Sequence, residues 1–94
     1  KKMTAKIGTY QWMAPEVITN TNYTEKADIF SFAIILWELF SHEPPYKNIK
    51  DPDDVATKVG KDPNFRPIIN EKIVPENYKK LIIACWDFEP SSRP

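Results

Sequence analysis

At 94 residues the chain is below the usual domain size, and a chain this short buries only about 60% of its unfolded surface, so one modest core is its ceiling. Its 13 basic and 13 acidic side chains cancel, which removes the basic field that would recruit nucleic acid or anionic lipid. The single cysteine, Cys85, excludes an intrachain disulfide, and the single histidine, His42, excludes the usual structural zinc sets; both fit a reducing, cytoplasmic setting and predict no metal.

The first residues, Lys1 to Lys6, carry charge without the apolar run and cleavage site of a signal peptide. Residues 1–13 show no sustained period and read as irregular, with Gly8-Thr9 in a polar setting. Ala14–Ile18 predicts a short helix with Pro15 in its first turn, where a missing N–H costs nothing. Thr24 then reads as the N-cap of a long helix, with Glu25 and Asp28 near the positive end of its dipole. Along that helix Ile29, Phe32, Ala33, Leu36, Trp37 and Phe40 repeat at helical spacing, while Phe30, Ile34, Ile35 and Leu39 fill the other faces. The stretch from Ile29 to Phe40 is far short of the ~20 residues of a membrane span and is interrupted by Ser31 and Glu38. A helix apolar nearly all round must be enclosed by protein, and the rest of so short a chain does not cover every face. The pattern therefore implies further protein against this helix.

His42-Glu43-Pro44-Pro45 stops the long helix, and Asp51-Pro52-Asp53-Asp54 starts another, with a cap, a first-turn proline and two carboxylates. Gly60 is expected to end it after Val59. Asn64-Phe65-Arg66-Pro67 reads as extended, because the residue before proline is pushed out of the helical region. A last helix follows Pro75, with Tyr78, Leu81, Ile82, Cys85 and Trp86 on one apolar stripe. With no strand pattern and no repeat, the expected class is all-α, its 9 prolines acting as punctuation.

From residue types alone, Glu16 and Arg93 are two charges far apart in the chain, Asp28 is a first-turn carboxylate, and Thr9 is a loop residue beside glycine. Cys85 and Trp86 read as packing residues. His42 has no serine, cysteine or second histidine at a catalytic spacing, so it reads as a helix-end cation or a surface residue.

The run Gly8-Thr9-Tyr10-Gln11-Trp12-Met13-Ala14-Pro15-Glu16-Val17 resembles the end of a protein-kinase activation segment, which the Ala-Pro-Glu motif closes. Asp28-Ile29-Phe30-Ser31-Phe32 resembles the start of that family's central buried helix, and Leu36-Trp37-Glu38-Leu39 its continuation. Pro44-Pro45-Tyr46, Arg66-Pro67, Cys85-Trp86, Pro90 and Arg93-Pro94 resemble its later motifs in order, so the likeness spans the chain. The combination is most similar to the tyrosine-kinase-like branch of serine/threonine kinases, with Ala33 in place of a common glycine. Alanine suits a helix interior better by about 1 kcal/mol, unless close backbone approach is needed.

The resemblance implies that residues 1–94 form part of a kinase C-lobe, from the activation segment to the closing Arg-Pro motif, with the N-lobe and catalytic loop outside it. It implies a buried ion pair between Glu16 and Arg93, a catalytic-loop anchor at Asp28, a substrate-facing loop at Gly8 and Thr9, and a possible phosphosite at Thr4. Thr9, where tyrosine kinases usually carry proline, points to Ser/Thr acceptors. The Gly-rich cover, strand lysine, catalytic-loop aspartate and magnesium-binding aspartate of phosphoryl transfer are not in these residues, so the segment alone is expected to bind no cofactor and to be inactive. ATP and Mg would belong to the parent. The implied partners are the N-lobe and catalytic loop of the same kinase and a protein substrate, in the cytoplasm or on the cytoplasmic side of a receptor kinase. A pseudokinase scaffold is the first alternative; a free-standing helical interaction domain is a second, disfavoured because it would show a polar face on the long helix.

Overall fold

The computed structural model describes residues 9–19 and 23–94, with Thr9 in its backbone only. The expected irregular start resolves, from Thr9 onward, into a short 3-10 helix, Thr9–Trp12. Helix α1, Pro15–Ile18, carries its proline in the first turn after an extended Ala14, and Thr19 closes it by donating its amide to the Pro15 carbonyl at 3.0 Å. The cap expected at Thr24 is corrected by one residue: the N-cap of the long helix α2, Lys26–Ser41, is Glu25, while the Thr24 hydroxyl just before it accepts from the Lys26 amide at 3.2 Å and its carbonyl from the Ala27 amide at 3.0 Å. His42 ends α2 in the left-handed region, φ 58°, with its amide donating to the Glu38 carbonyl at 2.8 Å. Glycine commonly fills that position, and the prolines that follow bar any continuation of the helix.

Only one side of α2 is enclosed. Phe30, Ala33, Ile34 and Trp37 are buried, while Phe32 and Ile35 are each 47% exposed and Leu39 is 66% exposed. The buried side packs against α4, Glu76–Cys85, and against the first 3-10 helix. Ala33 is fully buried, so its methyl is part of the core. The Trp37 indole N–H donates to the Ile68 carbonyl at 2.8 Å and so binds the extended link, residues 65–70, to α2.

Helix α3, Pro52–Lys61, begins with the Asp51 carboxylate accepting from the Asp53 amide at 3.0 Å, and its Val55 and Val59 are buried. The expected stop at Gly60 is corrected: the helix runs through Gly60 to Lys61, and the Asp62 amide closes it on the Lys58 carbonyl at 2.8 Å. Gly60 serves close approach instead. A Cβ there would stand 3.2 Å from Thr19 Cγ2 and 3.5 Å from Ile18 Cγ2, so the missing side chain lets the end of α1 lie against α3.

The stripe expected on α4 is also corrected. Ile82, Cys85 and Trp86 are buried, but Tyr78 and Leu81 lean outward at 42% and 37% exposure. They sit on the flank of the contact with α2, where the Tyr78 ring meets that of the half-buried Phe40, ring centroids 5.3 Å apart. No strand occurs among the described residues, and no described helix is long and apolar enough to cross a membrane.

Because space at Gly60 runs out within one carbon, Gly60→Leu in the full-length protein should lower stability by about 1–3 kcal/mol. A denaturant midpoint equal to wild type would show that α1 yields without cost.

Candidate functional site

The site is the place where the loop ending at α1 is fastened to α2 and to the end of the chain. On α2, Ser31 and Glu38 are seven residues apart and so share one face. The Ser31 hydroxyl donates to the Trp12 carbonyl, and Glu38 Oε1 accepts the Trp12 indole N–H at 3.1 Å. Trp12 is thus held by backbone and side chain at two points two turns apart on the helix.

Behind it lies the Glu16 carboxylate, buried at the start of α1. Arg93 meets it with two parallel contacts, Nη1 to Oε2 at 2.8 Å and Nη2 to Oε1 at 3.0 Å. The remaining guanidinium N–H groups donate to backbone: Nη1 to the Lys26 carbonyl at 2.9 Å, Nη2 to that of Phe88 at 3.4 Å, and Nε to that of Asp87 at 2.8 Å. All five N–H groups of a guanidinium are therefore used. The Lys26 ammonium in turn donates to the Arg93 and Pro94 carbonyls at 3.0 and 2.9 Å. The Arg93 side chain is fully buried and its Cζ stands 5.1 Å from the centroid of the buried Phe30 ring. The arrangement fixes direction as well as distance, which a lysine point charge does not do.

Asp28 lies elsewhere. Its carboxylate is exposed, makes no side-chain hydrogen bond or ion pair among the described residues, and lines an open cleft of about 500 Å³ with Met13, Val17 and Tyr23. Of the remaining expected site residues, Thr9 is described only in its backbone, and Gly8 and Thr4 lie outside the described residues. His42 is exposed at the end of α2. Cys85 is buried, and that burial pushes its thiol up. No group of acidic, histidine or cysteine residues that could hold a metal is found among the described residues.

Residue-by-residue reading did not find the part played by Trp12, Ser31, Glu38 and Lys26. The signal was present in Ser31 and Glu38, the two polar interruptions of an otherwise apolar run, set one helical face apart.

The loop before α1 is thus fastened to a central apolar helix, and a buried carboxylate at the start of α1 is held by an arginine near the far end of the chain. Residues 1–94 match the family described as protein tyrosine and serine/threonine kinase, and the chain belongs to that family. It is 40% identical over 93 residues to serine/threonine-protein kinase VIK of Arabidopsis thaliana, a match covering 99% of this chain and 20% of VIK. It is 41% identical over 93 residues to mitogen-activated protein kinase kinase kinase 10 of Xenopus laevis, covering 99% of this chain and 9% of that protein. It is 44% identical over 87 residues to dual specificity protein kinase shkD of Dictyostelium discoideum, covering 93% of this chain and 11% of shkD. The chain spans a fifth or less of the length of each of these relatives.

Removing one member of a buried pair leaves the other uncompensated, so Arg93→Ala or Glu16→Gln in the full-length protein should cost about 3–5 kcal/mol by denaturant melt. A loss under about 1 kcal/mol would mean that the pair behaves as a surface contact. At pH 8 the Cys85 thiol should alkylate with iodoacetamide more slowly than a free cysteine, since burial both shields it and lowers its thiolate fraction. Equal rates, followed by mass spectrometry, would show that the α2–α4 contact opens readily.

Proposed function

We propose that this chain is the substrate-side portion of the C-lobe of a protein serine/threonine kinase whose parent transfers the γ-phosphate of ATP to Ser or Thr of a protein. The observation that carries the proposal is the Glu16–Arg93 pair, buried and with every guanidinium N–H used, directly behind a loop that Trp12 ties to α2. A loop held this way has little freedom to wander, and phosphoryl transfer rests mainly on positioning and electrostatics. Two of the relatives named above are called serine/threonine or mitogen-activated protein kinase kinase kinases, and shkD is called a dual specificity kinase.

In this reading the exposed stripe of Phe32, Ile35 and Leu39 on α2, with Asp28 one turn earlier, is the seat of the catalytic loop of the same kinase. The Asp28 carboxylate, unpaired among the described residues, is an acceptor for backbone N–H groups of that loop. ATP and Mg are held by the rest of the parent, and no residue of this chain is assigned to either. Thr4 is a phosphosite in the activation segment, where added charge would meet a basic pocket of the parent. The parent works on the cytoplasmic side of the membrane or in the cytoplasm.

Thr9, directly after Gly8 and seven residues before Glu16, helps place the acceptor hydroxyl against the catalytic aspartate and lysine. Small misplacements at a reacting centre cost as much as ~100-fold, so Thr9→Ala in the full-length enzyme should lower kcat far more than it raises the KM for ATP. Thr9→Ser, which keeps the hydroxyl, should be mild. Steady-state kinetics on matched Ser, Thr and Tyr peptides provide the check. Unchanged kcat in Thr9→Ala, or a wild-type preference for Tyr, would remove the assignment of Thr9; absence of any transfer by a folded, ATP-saturated wild type would favour a pseudokinase scaffold.

A further inference from the structure

A second pocket lies away from the substrate loop, where the turn after α2 faces the extended link. It encloses about 370 Å³, within the range of small-molecule sites. Aromatic and apolar groups make most of its wall: the Trp37 indole, the Tyr46 and Phe65 rings stacked on one another at 4.9 Å and 10°, Pro67, and Ile68, which is 86% exposed at its margin. Lys47 and Glu43 at the rim neutralise each other in an ion pair of 3.0 Å.

Arg66 is the lining cation without a carboxylate. Its Nε donates to the Trp86 carbonyl at 2.9 Å and its Nη1 to that of Phe65 at 2.6 Å, while its Cζ rests 4.9 Å from the Phe30 ring centroid. Asp62 and Asp87 act on it only through space, and no ion pair to Arg66 occurs among the described residues. Its Nη2 and the neighbouring Tyr46 hydroxyl are both buried and both lack a hydrogen-bond partner among the described residues. Buried donors left unpaired are costly, and most in folded proteins find an acceptor. Burial also pushes the Arg66 guanidinium down and the Tyr46 phenol up, the direction expected of groups taken from water without full replacement.

Tyr46 adds an independent sign. Its backbone lies at φ 56°, the left-handed region that bulky residues rarely occupy, and such strain concentrates at ligand clamps and switch regions. The strained residue is the one that carries the unpaired hydroxyl and half of the aromatic stack. Aromatic walls call for a flat apolar body, and two unpaired donors, one of them cationic, call for an anionic acceptor.

We propose that this pocket is a binding site for an aryl carboxylate, with the ring system against Trp37 and the Tyr46–Phe65 stack and the carboxylate accepting from Arg66 Nη2 and the Tyr46 hydroxyl. In this proposal Arg66 and Tyr46 turn these buried donors toward the pocket on binding. The site is separate from the proposed substrate loop and does not depend on the kinase activity of the parent.

The test is calorimetric titration of the full-length protein with biphenyl-4-carboxylate and with its neutral counterpart biphenyl-4-methanol. Saturable binding of the carboxylate, at least about 10-fold tighter than the alcohol, is expected from a charge-assisted pair of hydrogen bonds. Tyr46→Phe keeps the ring stack and removes only the hydroxyl, so it should weaken the carboxylate about 5-fold or more and leave the alcohol unchanged. Arg66→Lys should abolish the preference for the carboxylate, and if that variant does not fold the Tyr46→Phe comparison decides alone. No saturable binding, equal affinity for the two probes, or a carboxylate affinity indifferent to Tyr46→Phe would each overturn the proposal. So would binding that competes with Mg-ATP, since that would place the ligand in the parent's nucleotide site.

Discussion

The buried guanidinium of Arg93 is the constraint around which the rest of the chain is arranged. An arginine withdrawn from water needs a counter-charge and an acceptor for each of its N–H groups, and these must come from fixed positions. Here they come from the start of α1, the start of α2 and the turn that follows α4, three stretches far from one another in sequence. Satisfying Arg93 therefore closes the chain end to beginning. The pair contributes geometry more than net stability, because desolvating two charges offsets much of their attraction.

The second constraint is the unequal covering of α2. Its inner side has the core, its outer side keeps Phe32, Ile35 and Leu39 in the open, and no further helix among the described residues lies over them. In the proposed reading these large apolar side chains are covered by the catalytic loop of the parent, in keeping with a match that spans a fifth or less of each relative.

Much of this arrangement was legible from residue order. The helical periods of α2 and α4, the Asp51 cap with its following proline and the stop at His42 to Pro45 follow from local chemistry, and local chemistry is what a sequence displays. Gly60 misled because glycine signals both a helix end and a close approach, and only the position of Thr19 tells which applies. Tyr78 and Leu81 misled for a related reason: periodicity says that residues share a face, not that the neighbouring helix is wide enough to cover it. The grip of Glu38 on Trp12 depends on where a loop returns in space, and nothing local encodes that.

Phe30 lies beside both of the buried guanidinium groups. Both arginines with buried contacts, Arg66 and Arg93, place their guanidinium carbons about 5 Å from its ring, at 4.9 and 5.1 Å. A ring quadrupole can attract cations that repel each other, and in a desolvated setting each such contact is worth on the order of 2 kcal/mol. The ring thereby offsets part of the cost of two nearby positive charges, of which only Arg93 has a carboxylate. The same side chain is fully enclosed in the hydrophobic core. Core packing, the closing ion pair and the extended link carrying Arg66 are thus not separable layers: any change that moves the Phe30 ring alters the electrostatic surroundings of both arginines at once.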